Sequence, residues 1–217
     1  MSDELPQMLR TDARDNRDRI LENARMLFSE RGLDITMREI ARHAEVGPAT
    51  LYRRFPTKQL LIDEAFTDEL RACRAIVADG CADPDAWRGF CSVIEEITAH
   101  NVRNQGFVDA FLSTQTDADS FATHRAELTR MLAKLARRAQ TAGRLRPDFV
   151  IDDLLLVLLA GRGLASIPPA SREKAARRFA ALAIESFRTS ETNEALPRPA
   201  RLIDVVARPA SARPAGS

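Results

Sequence analysis

The stretch EVGPATLYRRF, residues 45–55, places a break in the chain directly before a short basic helix. Gly47 and Pro48 interrupt the preceding helical pattern, and proline suits the first turn of a new helix because its missing amide hydrogen would have no partner there. Leu51 and Phe55 are four residues apart and therefore share one helical face. The next proline disfavours helical geometry at Phe55. The stretch thus predicts a helix of about two turns that directs one tyrosine and two arginines away from its apolar face.

A second helix is predicted directly before this one. Thr36 and Glu39 have the spacing of a capping box, in which the threonine hydroxyl accepts a first-turn amide and the glutamate bonds back to the cap. The apolar residues on its buried face are Met37, Ile40, Ala41 and Ala44. Two helices joined by a tight glycine-containing turn, the second short and basic, are typical of a helix-turn-helix. A helix of this size fits the major groove of duplex DNA.

The distribution of charge points to the same segment. The 217 residues have a formal net charge of only +1, with 45% apolar and 29% charged residues. The chain can therefore bury a core, and it is not a general polycation. Between Met37 and Lys58, however, five basic residues stand against two acidic ones. We expect any nucleic-acid surface to be confined to this part of the chain.

Helical periodicity continues through most of the remaining sequence, and no alternating strand pattern is present. A first helix is expected to end at Gly32. Thr57 is expected to cap a long connecting helix that runs to about Val77. The predicted starts of three later helices are Asp83-Pro84, Asp148 and Ser171.

These elements predict an all-α fold. Residues 14–56 are expected to form an N-terminal three-helix helix-turn-helix DNA-binding domain. A long helix, residues 57–78, joins it to a larger helical ligand-binding and dimerisation domain that spans residues 57–188. Residues 189–217 are rich in proline, alanine and arginine and predict a flexible tail. The alternative for this tail is that RLIDVV, residues 201–206, docks on the helical body.

Residues that commonly bind metals or catalyse reactions are scattered along the chain. The three cysteines have no CxxC spacing, and the three histidines stand far apart. This pattern favours reduced, mostly buried thiols over a zinc site, and it provides no converging set of groups for an enzyme. We expect no catalytic site, no metal and no cofactor. A charged amino terminus and short apolar runs argue against a signal peptide and a membrane span, so we expect a cytoplasmic protein.

Residues 20–66 resemble the DNA-binding domain of the TetR family of bacterial transcriptional regulators, and the stretch ARMLFSERGLDITMREIARHAEVGPATLYRRFPTKQLLIDEAF, residues 24–66, matches the family pattern nearly throughout. The run TLYRRFPTK, residues 50–58, carries most of the specificity, because several other matching positions are core positions of any helix-turn-helix. The marks of the family are Phe28, Gly32, Thr36, Ile40, Ala41, Ala44, Val46, Gly47, Leu51, Tyr52, Phe55, Lys58 and Leu61.

The resemblance implies which residues contact DNA. They are Thr36, Arg38, Pro48, Ala49, Thr50, Tyr52, Arg53, Arg54 and Lys58. Thr36, Tyr52 and Lys58 would bond backbone phosphates. The family often has Ser or Thr where this chain has Pro48, so direct base reading would depend more on Arg53.

One of these implied contacts is a supporting one, and two others leave alternatives open. Arg38 would support a phosphate next to the one that the second helix binds. Thr50 would face either the DNA or the junction between the helices. Arg54 would be either a DNA contact or a solvated surface charge. The resemblance therefore implies that one side of the recognition helix faces DNA, but it does not decide whether Thr50 and Arg54 lie on that side.

Residues 138–158, RAQTAGRLRPDFVIDDLLLVL, resemble the regulatory domain of some TetR members. The family's rule implies a homodimer in which the last two helices of each subunit form a four-helix interface. The segment FVIDDLLLVLLAG, residues 149–161, is apolar on nearly all sides and needs cover from several directions. The expected interface residues are Leu155, Leu158, Leu159, Ala176, Phe179, Ala180, Ala183 and Phe187. The alternative is a monomer with a thick core.

Family members commonly hold a small molecule between the middle helices, which implies an effector site in this chain. The candidate lining residues are Trp87, Phe90, Cys91, Ile94, Phe107, Phe111, Phe121, Leu128 and Met131. The same residues at helical spacing would also fit a plain core. Arg162 and Asp153 are candidate polar anchors for the ligand or, alternatively, ion-pair partners at the dimer interface.

Together these observations predict a ligand-responsive regulator, in the first instance a repressor, that binds a palindromic operator on double-stranded DNA as a homodimer. A small apolar or aromatic effector, not identified by the sequence, would tilt the connecting helix. The tilt would change the distance between the two recognition helices and release the operator. The alternative is a helical ligand-binding or scaffolding protein without sequence-specific DNA binding.

Overall fold

The computed structural model describes residues 4–112 and 119–199. Within these ranges the chain forms ten α-helices and one 3-10 turn, without a strand, so the all-α prediction is confirmed. The elements are α1 (Glu4–Arg31), α2 (Met37–His43), α3 (Pro48–Arg54), α4 (Lys58–Ala65), α5 (Thr67–Ala82), α6 (Ala86–Asn101), α7 (Gln105–Leu112), α8 (Asp119–Thr141), α9 (Ile151–Gly161), the 3-10 turn (Arg162–Ser166) and α10 (Pro169–Phe187). No helix in the described ranges is both long enough and apolar enough to cross a membrane.

The helix-turn-helix encloses an apolar core between α1 and α4. Phe28 of α1, Ile40 of α2 and Leu51 of α3 are fully buried there. Gly32 follows α1 with a φ of +74°. Helices often end at a glycine in this left-handed conformation. α1 itself begins at Glu4, before the boundary at residue 14 where this domain was expected to start.

The prediction of one continuous connecting helix over residues 57–78 is wrong. Thr57 does cap α4, because its hydroxyl accepts the amide of Leu60 at 3.2 Å. The helix is then interrupted at Phe66, whose φ of −108° and ψ of 15° depart from helical values. A second helix, α5, continues to Ala82. The connection is therefore two helices joined at one residue.

Side-chain hydrogen bonds and ring packing account for this interruption, since no proline or glycine stands near it. The Thr67 hydroxyl donates to the carbonyl of Asp63 at 2.8 Å, and threonine bonds of this kind often bend helices. Arg25 of α1 donates to the carbonyl of Ala65 at 2.6 Å. The ring of Phe66 lies against one phenylalanine of α1 and one of α7.

The predicted starts of α6 and α10 are also wrong. Asp85, rather than Asp83, caps α6 and accepts two first-turn amides at 3.0 Å. The Asp83 carboxylate is held instead by two bonds of 2.8 Å from the guanidinium of Arg88. α10 begins at Pro169 rather than Ser171, because proline fills a first helical position without loss of a hydrogen bond.

Asp148 does not cap α9, which begins at Ile151. The Asp148 carboxylate instead accepts a bond of 2.6 Å from Arg146, and this guanidinium holds the pKa of Asp148 at about 2. The capping bond comes from inside the helix, where Asp153 accepts the amide of Val150 at 3.0 Å. Arg146, two residues before Asp148, therefore binds the carboxylate that the sequence predicts as the cap.

The same Arg146–Asp148 pair anchors the start of the C-terminal segment. Arg146 is buried and donates to the Glu194 carbonyl at 2.7 Å, and the Asp148 carboxylate accepts the Leu196 amide at 3.0 Å. The tail that was expected to be flexible from residue 189 is therefore bonded to the body at its beginning. Residues 200–217, including the RLIDVV segment, lie outside the described residues.

The far end of α5 is fixed tightly to its neighbours. α5 and α6 cross with backbones in contact at Gly80 and Gly89, where any Cβ would meet the opposite backbone. Arg138 of α8 donates to the carbonyls of Cys81 and Asp83, both at 2.8 Å. The glycine contact holds this end of α5 against α6, and the Arg138 bonds, which satisfy carbonyls at the end of the helix, hold it against α8.

The three cysteines are free thiols. Burial raises the pKa of Cys73 to about 12 and that of Cys91 to about 11, so neither thiol is activated as a nucleophile. Across residues 4–112 and 119–199, no group of three or more His, Cys, Asp or Glu side chains is placed to hold a metal ion.

We expect Gly89→Ala to destabilise the protein. A Cβ at this position would lie 2.1 Å from the Gly80 carbonyl oxygen, so α5 and α6 would have to separate. Overpacking of this kind costs about 1–3 kcal/mol, which lowers the midpoint of urea unfolding. Gly163→Ala is the control and should leave the midpoint unchanged or slightly higher, because nothing lies within 4 Å of its Cβ position. Equal midpoints for Gly89→Ala and the parent protein would contradict the close crossing.

Candidate nucleic-acid interface and apolar chamber

α3 has one buried face and one exposed face. Leu51 and Phe55, which follow the predicted four-residue spacing, are both fully buried in the core. Gly47 precedes the helix in extended conformation, and Pro48 is its first residue. The Tyr52 side chain is 45% exposed on the opposite face, although its ring is apolar and large. The buried pair therefore fixes the helix while its outer side stays open.

Most of the residues that the family resemblance assigned to DNA lie on the surface. The exposed ones are Thr36, Arg38, Pro48, Ala49, Tyr52, Arg53 and Arg54. Thr50 and Lys58 are half-buried. α2 and α3 pack on each other, as expected of a helix-turn-helix.

Thr36 forms the complete capping box that its sequence predicts. Its hydroxyl accepts the amide of Glu39 at 3.2 Å and donates to the Glu39 carboxylate at 2.6 Å. The carboxylate also accepts the Thr36 amide at 2.9 Å, and these bonds lower the pKa of Glu39. A phosphate at Thr36 would therefore compete with Glu39 for the hydroxyl proton.

Lys58 is turned partly inward. Its ammonium donates to the carbonyl of Leu33, in the loop between α1 and α2, and burial lowers the pKa of this lysine. The bond ties the start of α4 to the helix-turn-helix. An ammonium group has three donors, so a DNA phosphate would be an additional acceptor rather than a replacement.

Comparisons with known proteins identify the family. A model of bacterial regulatory proteins of the tetR family matches residues 20–65, and a model of the C-terminal domain of SbtR-like transcriptional regulators matches residues 85–189. The crystal structure of a TetR transcriptional regulator from Streptomyces coelicolor is 30% identical, covering 80% of this chain and 99% of that chain with a TM-score of 0.50. The chain belongs to the TetR family of bacterial transcriptional regulators.

Other transcriptional regulators are similar at the level of the fold or of one domain. The ketosteroid transcriptional regulator KstR2 of Mycobacterium tuberculosis is 19% identical over 80% of this chain and 95% of its own, with a TM-score of 0.62. An HTH-type transcriptional regulator of Staphylococcus aureus is 47% identical over 51 residues, which are 23% of this chain and 28% of that protein. The chain thus matches 28% of the length of this curated relative. TetR regulators are DNA-binding transcription factors and not enzymes.

The regulatory part of this TetR chain contains an apolar chamber among α5, α6, α7, α8 and α9. The predicted ligand-binding residues that line it are Phe90, Ile94, Phe107, Phe111 and Leu128. Sequence reasoning missed the contribution of α5, which supplies Cys73 and Val77, and of α9, which supplies Ile151 and Leu154. Both helices have apolar stripes, but the sequence alone assigns the stripe of α5 to the connecting helix and that of α9 to the dimer interface.

Four predicted lining residues lie outside the chamber. Trp87 stacks on Phe90, and the Arg188 guanidinium covers its ring at 5.2 Å from the centroid. Phe121 is buried behind Phe107, with ring centroids 6.3 Å apart. The other two, which are partly buried elsewhere on the core, are Cys91 and Met131. Periodicity identified the buried faces of α6 and α8 but not which part of each face borders the chamber.

The expected dimer interface is wrong for the residues on the inner face of α10. Ala176 and Ala180 are 0% exposed in the single chain, and Ala183 and Phe187 are also buried. These residues pack against other helices of their own chain, α6 above all, so they present no surface to a second chain. Two further expected interface residues, Leu155 and Leu158, line the chamber.

α9 and α10 nevertheless leave an apolar surface exposed. Leu156 is 48% exposed and Leu182 is 57% exposed. The half-buried neighbours on these helices include two residues of the original prediction, Leu159 and Phe179. We call these four side chains the α9–α10 patch. Of the two candidate polar anchors, Asp153 caps α9, and Arg162 forms an ion pair with Asp109 of the same chain.

We expect Tyr52, Lys58 and Arg53 to differ in what they contact on DNA. Tyr52→Ala and Lys58→Ala should weaken binding to every duplex by a similar factor and lower its salt dependence, as loss of phosphate contacts does. Arg53→Ala should instead relax specificity at one base pair, at a cost of about 1–3 kcal/mol for the preferred base. Binding to an operator and to single-base variants, measured over a range of salt concentrations, separates the two effects.

Arg137→Ala provides the control, because it removes one exposed positive charge from α8, away from the helix-turn-helix. We expect it to leave operator affinity and base preference unchanged. A uniform loss of affinity for Arg53→Ala would make that residue a backbone contact. A loss confined to certain sequences for Tyr52→Ala or Lys58→Ala would contradict their roles as phosphate contacts.

Proposed function

We propose that this TetR protein is a ligand-responsive repressor that binds a palindromic operator as a homodimer and is released by a small apolar effector. The exposed side of α3 is the observation that carries the proposal. Buried Leu51 and Phe55 hold this helix in place, and Tyr52 and Arg53 extend from it into solvent. A helix fixed in this way presents a rigid set of donors to the major groove.

The α9–α10 patch supports dimerisation. Exposed leucines at 156 and 182, with half-buried Leu159 and Phe179, form an apolar surface whose burial is favourable. A two-fold interface brings the same patch of both subunits together, and it relates the two α3 helices by the same symmetry. A symmetric protein of this kind reads a palindrome whose half-sites lie on one face of the duplex.

The effector would act through the junction between α4 and α5. Phe107 lines the chamber, and its ring centroid lies 5.9 Å from that of Phe66. Phe66 in turn lies 5.9 Å from Phe28 in the core of the helix-turn-helix. A ligand that shifts Phe107 therefore pushes on the residue at which the connection bends. Coupling between sites is typically about 1–3 kcal/mol, which would weaken operator binding about 5- to 150-fold.

Selection of binding sites from a random duplex library tests the repressor proposal most directly. With purified protein at about 150 mM salt, where non-specific binding is weak, we expect one enriched palindrome with half-sites on the same face of the duplex. Enrichment of a single half-site would contradict the proposal that the protein binds its operator as a homodimer. Salt-sensitive binding to every duplex, with no enriched sequence, would favour a ligand-binding or scaffolding protein without sequence-specific DNA binding.

A variant of the α9–α10 patch tests the dimer separately. Leu182→Glu places a charge in the centre of the proposed interface, where its desolvation is unfavourable. We expect a monomer in sedimentation and loss of binding to the palindrome at concentrations that saturate the parent protein. Arg177→Glu on the same helix is an exposed charge control, and it should remain dimeric. A dimeric Leu182→Glu protein with full operator affinity would place the interface elsewhere.

The ring contacts of Phe66 allow a test of the coupling. Phe66→Leu keeps an apolar side chain at the bend but removes the contacts with Phe28 and Phe107. For a compound chosen because it thermally stabilises the protein, we expect this variant to bind the compound and the operator but to lose most of the effect of one on the other. Phe149→Leu is the matched control, since its ring contacts lie on Phe90 and Phe187. Full coupling in Phe66→Leu would exclude this route.

A further inference from the structure

The apolar chamber borders a second, polar compartment, because five residues line both. The chamber has a volume of about 90 Å³, and the polar compartment has one of about 370 Å³. The residues that line both compartments are Thr98, Asn101, Val108, Val157 and Leu158. A molecule in the chamber would therefore place one end at these shared residues. The two compartments together form a site for a molecule with an apolar body and a polar end.

The charges of the polar compartment cancel. Asp109 of α7 and Arg162 of the 3-10 turn are the charged residues among those described in its lining, and they form an ion pair with each other. Their side chains are 29% and 47% exposed, so the pair is partly desolvated. A ligand with a charged head group would have to compete with one member of this pair for the other. Such an exchange is unfavourable wherever water is partly excluded.

Neutral hydrogen-bonding groups stand between the ion pair and the chamber. Asn101 contributes a side-chain amide that both donates and accepts. Thr98 is buried, and its hydroxyl proton is used on the carbonyl of Ile94 at 2.6 Å, which leaves its oxygen as an acceptor. The polar end of the site therefore offers one donor group and two acceptor groups without net charge. A hydroxyl group, which donates and accepts, matches this set.

We propose that the effector is an uncharged amphipathic molecule whose apolar body fills the chamber and whose single hydroxyl or carbonyl group binds at Asn101. This inference rests on the proposed function, because it takes the chamber as the effector site. The proposal predicts weaker binding of fatty acids and of quaternary or primary ammonium compounds of the same length. The Asp109–Arg162 pair is thus a selectivity element that rejects both signs of charge.

Three probes of equal chain length test this selectivity: octan-1-ol, octanoate and octylammonium at pH 7. Binding to the full-length protein is measured by titration calorimetry, with thermal stabilisation as a second readout. We expect octan-1-ol to bind with one molecule per chain and about tenfold or more tighter than either ion. Asn101→Leu should weaken octan-1-ol several-fold through loss of the amide, by about the value of one hydrogen bond.

Charge variants show whether the ion pair sets the preference. Asp109→Asn leaves the positive charge of Arg162 and should shift the relative affinity about tenfold toward octanoate. Arg162→Gln leaves the negative charge of Asp109 and should shift it toward octylammonium. Asp79→Asn, an exposed carboxylate on α5, changes the net charge by the same amount outside the site and should leave the preference unchanged.

The outcomes separate this inference from the proposed function. Preference of the parent protein for octanoate or octylammonium would overturn the neutral head group and leave a ligand-responsive regulator standing. Unchanged preferences in Asp109→Asn and Arg162→Gln would overturn the role of the ion pair in the same way. Failure of all three probes to bind would overturn the inference together with the chamber as effector site, while operator selection would still decide the DNA-binding part of the function.

Discussion

Phe66 occupies the position on which the rest of the molecule depends. Its ring lies between Phe28, at the centre of the helix-turn-helix core, and Phe107, on the wall of the chamber. All three rings are buried, so none can shift without displacing a neighbour in a close-packed interior. The backbone bends at this residue, and Thr67 and Arg25 satisfy the carbonyls that the bend exposes. The DNA-binding and regulatory parts are therefore connected by the packing of these rings and not by one continuous helix.

The two ends of α5 differ in how they are held. Its far end is fixed by the backbone contact of Gly80 with Gly89 and by two bonds from Arg138. Between the ends, Cys73 and Val77 line the chamber. Its near end meets α4 at the bend. If α5 were displaced at the chamber, its fixed end could move little. Most of the movement would therefore occur at its junction with α4 and the helix-turn-helix.

The sequence was sufficient where structure is decided locally. The capping box of Thr36 and the proline that starts α3 depend on residues within one turn, and both were predicted correctly. The interruption at Phe66 was not, because it arises from side chains of α1 and α7 that are distant in sequence. Aspartate is a common helix N-cap, but the Asp148 carboxylate binds the Arg146 guanidinium instead of the first amides of α9. Periodicity likewise marked α10 as apolar without showing that its alanines pack within the chain.

α7 contacts both the wall of the apolar chamber and the core of the helix-turn-helix. Gly106 lies so close to α1 that a Cβ there would stand 2.6 Å from the carbonyl carbon of Phe28. One residue later, Phe107 faces the chamber, and Asp109 pairs with Arg162 in the polar compartment. Under the proposed function, a ligand in the chamber and one at the ion pair would both contact this helix. Because Gly106 packs directly on the backbone of α1, a movement of α7 would displace the core that positions α3.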